Sequence, residues 1–239
     1  MVSLLWTECL KLKRSSMLLI SILGATVAPF VVVVASYISE ETILFDQLFF
    51  QVNLYTVLII GVPLYGVVTT YLFHREYTEN TLKNLLTIPV SRLSFMVSKM
   101  MLLFIWISLL TALAWCLTAG IGLLLQFDGW STSLLLASLQ QFVTGGVLLF
   151  ILSTPIIFVT LVMKNYVPTI IFTIIITLIN VMAGNSEHRG LFPWAAAGDI
   201  ANQTLPATYP AEYSYTMIAI TALAGAVMMI AYFQKTDIH

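Results

Sequence analysis

The chain has 239 residues, of which 59% are hydrophobic and 9% charged, whereas an ordinary soluble domain is about 45–50% apolar and about 25% charged. So little charge cannot cover a water-facing globule, and lipid must be the solvent for most of the surface. With a net charge of −1 nothing suggests a nucleic-acid partner, and the two cysteines, Cys9 and Cys116, are not expected to form a disulfide framework.

Residues 1–16 read as an amphipathic helix. Ser3, Thr7, Lys11 and Arg14 form a polar stripe, while Leu4, Leu5, Trp6, Cys9, Leu10 and Leu12 fill the rest. Trp6 and the cations Lys11, Lys13 and Arg14 suit a helix lying at the membrane boundary, an elbow before the first span. The plainer reading is an extension of that span. Because the first apolar run is too long for a signal-peptide core and no small-residue cleavage site follows, no cleaved leader is expected.

Spanning the hydrocarbon core takes about 20 mostly apolar residues. Six segments qualify, at 17–38, 52–73, 100–125, 134–163, 167–183 and 214–233. The predicted class is an all-α membrane protein, a single transmembrane domain over 1–239. The fourth segment is long for one crossing, so a tilt or an interfacial first turn is expected. Pro29, Pro63 and Pro155 lie inside spans and predict kinks. No acidic, basic or histidine residue falls well inside any span. The connection at 184–213 is unusually apolar for a loop, which predicts short helices dipping back into the outer leaflet under protein cover.

Orientation follows the basic residues. With a cytoplasmic N-terminus, the inner segments hold Lys11, Lys13, Arg14, Arg75, Lys83, Arg92, Lys99, Lys164 and Lys235, and Arg189 alone falls outside. Both termini are therefore expected in the cytoplasm.

The first inner loop, with HREYTENTLKNLLTIPVSR at 74–92, is the most polar stretch. Thr78 can cap a short helix with Glu79 in its first turn, where a carboxylate favours the dipole. Leu82, Leu85 and Leu86 then make an apolar face at i, i+3, i+4. Glu79 and Lys83 pair on the other side, and Pro89 ends the helix. Such a helix fits a groove on a partner protein, or is an ordinary interfacial loop helix.

The run at 76–92 resembles the signature of ABC exporter permeases of the type-2 class, carried here by Glu76, Thr81, Leu82, Leu85, Leu86, Pro89, Ser91 and Arg92. Asn80 stands where many members have glycine, a mild departure because Asn tolerates left-handed backbone. The basic elbow, six spans and long apolar last loop match the family layout. Length and the phrase LKNLLTIPVSR are most similar to permeases of bacterial lantibiotic-immunity and bacitracin-resistance exporters. The resemblance implies that 76–92 is a coupling helix, with Glu79 and Asn80 in the same interface, inserted into an ATPase subunit present in two copies. It also implies a bacterial cytoplasmic membrane and a second permease, identical or homologous.

The chain holds no G-x-x-x-x-G-K-[ST], so ATP and Mg belong to the partner subunit and this chain is no enzyme and carries no cofactor. His74, His188 and His239 are scattered, so no metal site is expected. Asn53, Ser153, Thr154, Thr160, Thr173, Thr177 and Asn180 read as helix-packing groups. The Asn202-Gln203-Thr204 sequon has no expected use in bacteria. Charge-free spans point to apolar or amphipathic cargo drawn from the bilayer: an antimicrobial peptide, a lipid or a small hydrophobic toxin. An intramembrane enzyme would need His, Asp or Glu clusters at depth, and an ion-driven transporter would need intramembrane carboxylates or an inverted repeat. A non-transporting sensor or assembly component with this layout stays open as the alternative.

Overall fold

The computed structural model describes residues 2–13, 15–38, 43–78 and 91–235. The helices are α1 (Val2–Lys13), α2 (Ser16–Ile38), α3 (Phe45–Tyr55), α4 (Gly61–Thr78), α5 (Arg92–Leu124), α6 (Thr132–Ile151), α7 (Ser153–Met163), α8 (Tyr166–Ala183), α9 (Pro193–Asn202) and α10 (Ala211–Lys235). A π-helical turn, Thr56–Ile60, joins α3 to α4 without a break. Six runs among the described residues are long and apolar enough to cross a membrane: Ser16–Ile38, Phe45–Arg75, Leu93–Leu124, Thr132–Met163, Tyr166–Ala183 and Ala211–Lys235. The class is all-α, as composition predicts.

Two helices start well before the spans expected from hydropathy. The second begins at Phe45 rather than 52, because Phe45, Leu48, Phe49 and Val52 recur on one face and are all fully buried. Asp46 sits in the first turn, where a carboxylate suits the dipole. Asp46, Gln47 and Gln51 lower the local hydropathy and hide this turn from a window that looks only for apolar runs. The third helix starts at Arg92 rather than 100, with Ser91 accepting from the Ser94 N–H at 3.1 Å as its N-cap. As a result Lys99, which sequence places just before a span, lies two turns inside a helix and is buried.

The second run is the hub. It is 61% buried over its apolar window, more than any other, and it touches α2, α5, α6, α7, α8 and α9. Its π turn has a cause in Pro63. Proline has no N–H to offer the carbonyl four or five residues back, which frees the ladder to slip by one residue. The Gly61 N–H bonds the Thr56 carbonyl across the widened turn. The orphaned Leu58 carbonyl takes the side-chain amide of Asn180 on α8 at 3.4 Å.

The fourth run is broken rather than simply tilted: α6 ends at Ile151 and α7 resumes at Ser153. Pro155 removes the donor for the Ile151 carbonyl, and the Thr154 hydroxyl donates to it instead at 3.2 Å. The same hydroxyl reaches the Ala222 carbonyl on α10 at 2.9 Å. Pro29, by contrast, sits inside an unbroken α2.

Close approach rests on small residues. A Cβ at Gly145 would meet Val57 Cγ2 at 2.7 Å, one at Gly146 would meet Thr111 Oγ1 at 2.7 Å, and one at Gly122 would meet the Phe45 ring at 2.7 Å. Gly120 has open space. Of these two neighbouring glycines only Gly122 lies at a close helix approach.

Candidate functional site

Residues 79–90 lie between two helix ends that the structure describes in detail. Of the expected coupling residues, Glu79, Asn80, Thr81, Leu82, Leu85, Leu86 and Pro89 lie outside the described residues. Glu76 falls on the last turn of α4, Ser91 caps α5 and Arg92 begins it. The described flanks are anchored by polar groups at the end of the bundle where α10 finishes, its Phe233 stacked on Phe95 of α5. The Lys99 ammonium, from α5, donates to Glu8 Oε2 of α1 at 3.0 Å and to the Leu72 carbonyl of α4 at 2.9 Å. It also lies 5.1 Å from the centroid of the Phe95 ring. One cation thus ties together α1 and both helices that carry the segment.

Burial is what makes this junction matter. The Lys99 and Glu8 side chains are 2% and 8% exposed. A charge so far from water persists only when paired and hydrogen-bonded, and the ammonium here has a carboxylate, a carbonyl and a ring. Glu8 does not figure in the polar stripe read from sequence, which stresses Ser3, Thr7, Lys11 and Arg14. Its place one position from Thr7 on the helix, and the nearness of Lys99 to a span, were the signals for it.

Beside this junction, His74 Nε2 lies 2.9 Å from the Lys164 carbonyl, and its ring is 4.1 Å from that of Tyr166. Lys164 closes α7 in a left-handed conformation, and Asn165 caps α8 by accepting the Val167 N–H. Arg75 donates to the Tyr71 hydroxyl at 2.9 Å. Tyr71 meets Trp106 edge to face, and the Trp106 indole N–H reaches Ser21 on α2 at 3.1 Å. The end of α4 is therefore braced against α2, α5 and the α7–α8 turn. Of the elbow residues, Trp6 is 66% exposed. Lys11 and Lys13 lie on α1, and Arg14 is outside the described residues.

The opposite end holds a second polar cluster. The connection from α8 to α10 contains a 3₁₀ turn, Arg189–Leu191, and then α9, whose Ala195, Ala196, Ala197 and Gly198 are buried. Small residues let α9 lie close: a Cβ at Gly198 would meet Leu58 Cδ2 at 2.8 Å, so α9 rests on the π turn. Asn53 of α3 donates to Asn202 Oδ1 at 3.0 Å, and Asn202 donates to the Gly198 carbonyl at 3.1 Å. The sequon asparagine is thus a buried tie between helices.

Asp199 sits at the centre. Thr204 donates its hydroxyl to Asp199 Oδ1 at 3.0 Å, and Arg189 Nε lies 2.9 Å from Oδ2. Arg189 also donates to the carbonyls of Gly184 at 3.1 Å and Thr204 at 2.7 Å. Burial pushes the Asp199 carboxyl above its usual range, although the Arg189 charge and the Thr204 and Arg189 contacts pull the other way. Alongside lies a recess of about 380 Å³, lined by Phe50, Leu54, Tyr55, Leu58 and Ile59 on one side and by Asn180, Asn185, Arg189, Asp199 and Thr204 on the other. Sequence reading places Arg189 and Asp199 outside the spans without pairing them. Opposite charges ten residues apart in an otherwise apolar loop were the available sign.

Of the span residues read as packing groups, Ser153, Thr160, Thr173 and Thr177 bond carbonyls of their own turn or the one before. Asn53, Thr154 and Asn180 cross between helices.

Comparison with known proteins places this architecture. The profile of the ABC-2 family transporter proteins matches residues 4–180. The chain is 56% identical over 200 residues to a bacitracin transport permease protein of Bacillus licheniformis, a match that covers 84% of this chain and 96% of that protein. A profile match from α1 to the Asn180 turn of α8, together with a relative aligned over nearly its whole length, makes this chain a member of the ABC-2 family of transporter proteins.

Proposed function

We propose that the chain is the membrane-spanning permease subunit of an ATP-driven exporter that moves an antimicrobial peptide out of the membrane or cell. The observation that carries the reading is the 56% identity to a bacitracin transport permease across 84% of the chain. The fold agrees with it: six apolar helical runs form a multi-pass membrane protein, and membership of an ABC transporter family implies a separate ATPase subunit.

Residues 76–92 serve as the coupling segment. Their leucines enter a groove on the ATPase, and closure of two ATPase subunits on ATP moves the segment. The clamp of Glu8, Lys99 and the Leu72 carbonyl supports this role, because a push on either flank passes into three helices at once. Six spans are too few to enclose a symmetric pathway, so the chain works beside a second permease, identical or homologous. The elbow lies on the inner face of a bacterial cytoplasmic membrane with both termini, and α9 dips into the outer leaflet.

The test is co-purification. Tagged wild-type chain brings down the ATPase encoded beside it, and Leu82→Asp/Leu85→Asp loses it while remaining in the membrane. Full retention of the ATPase by the double variant would show that 76–92 is not the docking segment.

A further inference from the structure

The recess beside Asp199 straddles a boundary. Tyr55, Leu58 and Ile59 of one wall lie within the apolar run Phe45–Arg75, whereas Gly184, Asn185 and Arg189 of the other stand beyond Ala183, where the run Tyr166–Ala183 ends. One wall is apolar and at acyl-chain depth, and the other is polar and at headgroup depth. Tyr55, Ile59 and Val181 are all well exposed, so the recess opens on the surface that faces lipid. Its volume of about 380 Å³ falls within the roughly 300–1,000 Å³ of ligand sites.

The polar wall turns its positive side outward. The Asp199 carboxylate is paired with Arg189 Nε at 2.9 Å and sealed, its side chain 4% exposed against 30% for Arg189. A guanidinium carries five N–H donors. Two of them reach the Gly184 and Thr204 carbonyls, and Nε faces Asp199, so each terminal nitrogen keeps a second hydrogen. The Asn185 amide and the Tyr55 hydroxyl form no hydrogen bond among the described residues, and both side chains are exposed. Acceptors are scarcer. The Leu58, Gly184 and Thr204 carbonyls already have donors, and Asn180 is buried with its amide on Leu58. A cation entering the recess would find its one carboxylate sealed and paired. A single ester carbonyl would use one donor, whereas a phosphate brings negative charge and several oxygens to three donor side chains.

We infer that this recess seats the phosphate headgroup of a membrane lipid, with Arg189, Asn185 and Tyr55 donating to its oxygens and an acyl chain lying along Leu54, Leu58 and Ile59. The site depends on the membrane fold and not on the identity of the cargo, so its failure would leave the permease reading standing.

The probe is dodecyl phosphate, added to the full chain in micelles of dodecyl maltoside, a detergent without phosphate, with protein-free micelles subtracted. It should bind at one saturable site, roughly tenfold more tightly than dodecyl acetate, the worth of one further hydrogen bond to a charged group. Tyr55→Phe/Asn185→Ala removes two exposed donors and keeps the ion pair; it should bring the phosphate down to the level of the ester. Ile59→Trp, which fills the recess, should weaken both probes. Equal binding of phosphate and ester to wild type would overturn the assignment, and that comparison needs no variant to fold. So would unchanged phosphate binding in the donor variant, or tighter binding of dodecyltrimethylammonium than of dodecyl phosphate. Inorganic phosphate should not displace the probe at equal concentration. If it did, the occupant would be a free phosphate and not a lipid.

Discussion

Single residues set the largest energies in this molecule where charge is buried. Lys99 and Glu8 are both removed from solvent, and removing one partner of such a pair leaves the other unpaired, at a cost of about 3–5 kcal/mol. Lys99→Met alone should therefore unfold the chain at markedly lower temperature in nanodiscs, while Glu8→Gln/Lys99→Met recovers most of the loss. Equal destabilisation by the single and double variants would show that packing, not charge, holds the junction. Glycines offer a second contrast. A Cβ at Gly225 would stand 2.5 Å from the Pro155 nitrogen and 2.8 Å from Thr154 Oγ1, whereas at Gly120 it would meet nothing within 4 Å. Gly225→Ala should cost about 1–3 kcal/mol by overpacking. Gly120→Ala should be neutral or stabilise by about 0.5–1 kcal/mol through backbone entropy. Thermal midpoints of the two variants against wild type measure the difference.

At the scale of elements, apolar length makes the six long helices legible in sequence, because lipid leaves a spanning backbone little choice but a helix. Helix starts are less legible: Asp46 and Gln47 open α3, Arg92 and Lys99 fall in the opening turns of α5, and the burial of Phe49 and Lys99 depends on partners distant in sequence. Glu8 to Lys99 is 91 residues and Asn53 to Asn202 is 149. The same distance hides the Asp199 recess, whose walls come from α3, the π turn, α8 and the last loop. Sequence carries Pro63, Pro155 and the kinks they imply, but not how each freed carbonyl is satisfied, since Asn180 and Thr154 are ordinary until folded. The π turn yields its own prediction. It holds one residue more than an α-helix would, so deleting one residue from Thr56–Ile60 should close it to an α-turn and leave the face of α3 nearly unchanged, whereas inserting one residue within α3 just before it should turn the rest of α3 by about 100° relative to α4. Asn53 would then leave Asn202, and Phe45 and Phe49 would leave Phe142 and Trp115. The insertion should abolish stable expression, whereas the deletion should not. Normal accumulation of the insertion, measured by immunoblot of membranes, would mean the register of α3 is dispensable.

At the scale of the whole molecule, an even number of crossings puts both ends of the chain on one side. On the orientation proposed above, drawn from the basic residues, that side is cytoplasmic. A background lacking Cys9 and Cys116 permits a direct check by an impermeant maleimide. Ala207→Cys, at the α9 end, should label in intact cells, and Gln234→Cys, near the end of α10, only after permeabilisation. The reverse pattern would invert the topology and place the coupling segment where no ATPase can meet it. The hub helix also bears on how the protein is made. It is the second long helix to leave the ribosome, yet its neighbours α5, α6, α7, α8 and α9 are synthesised after it. Until they arrive, Asn53 has no Asn202, and the Leu58 carbonyl freed by Pro63 has no Asn180. A nascent chain stalled before α8 thus holds open polar groups on its most central segment, a mark by which quality control can tell an unfinished permease from a finished one.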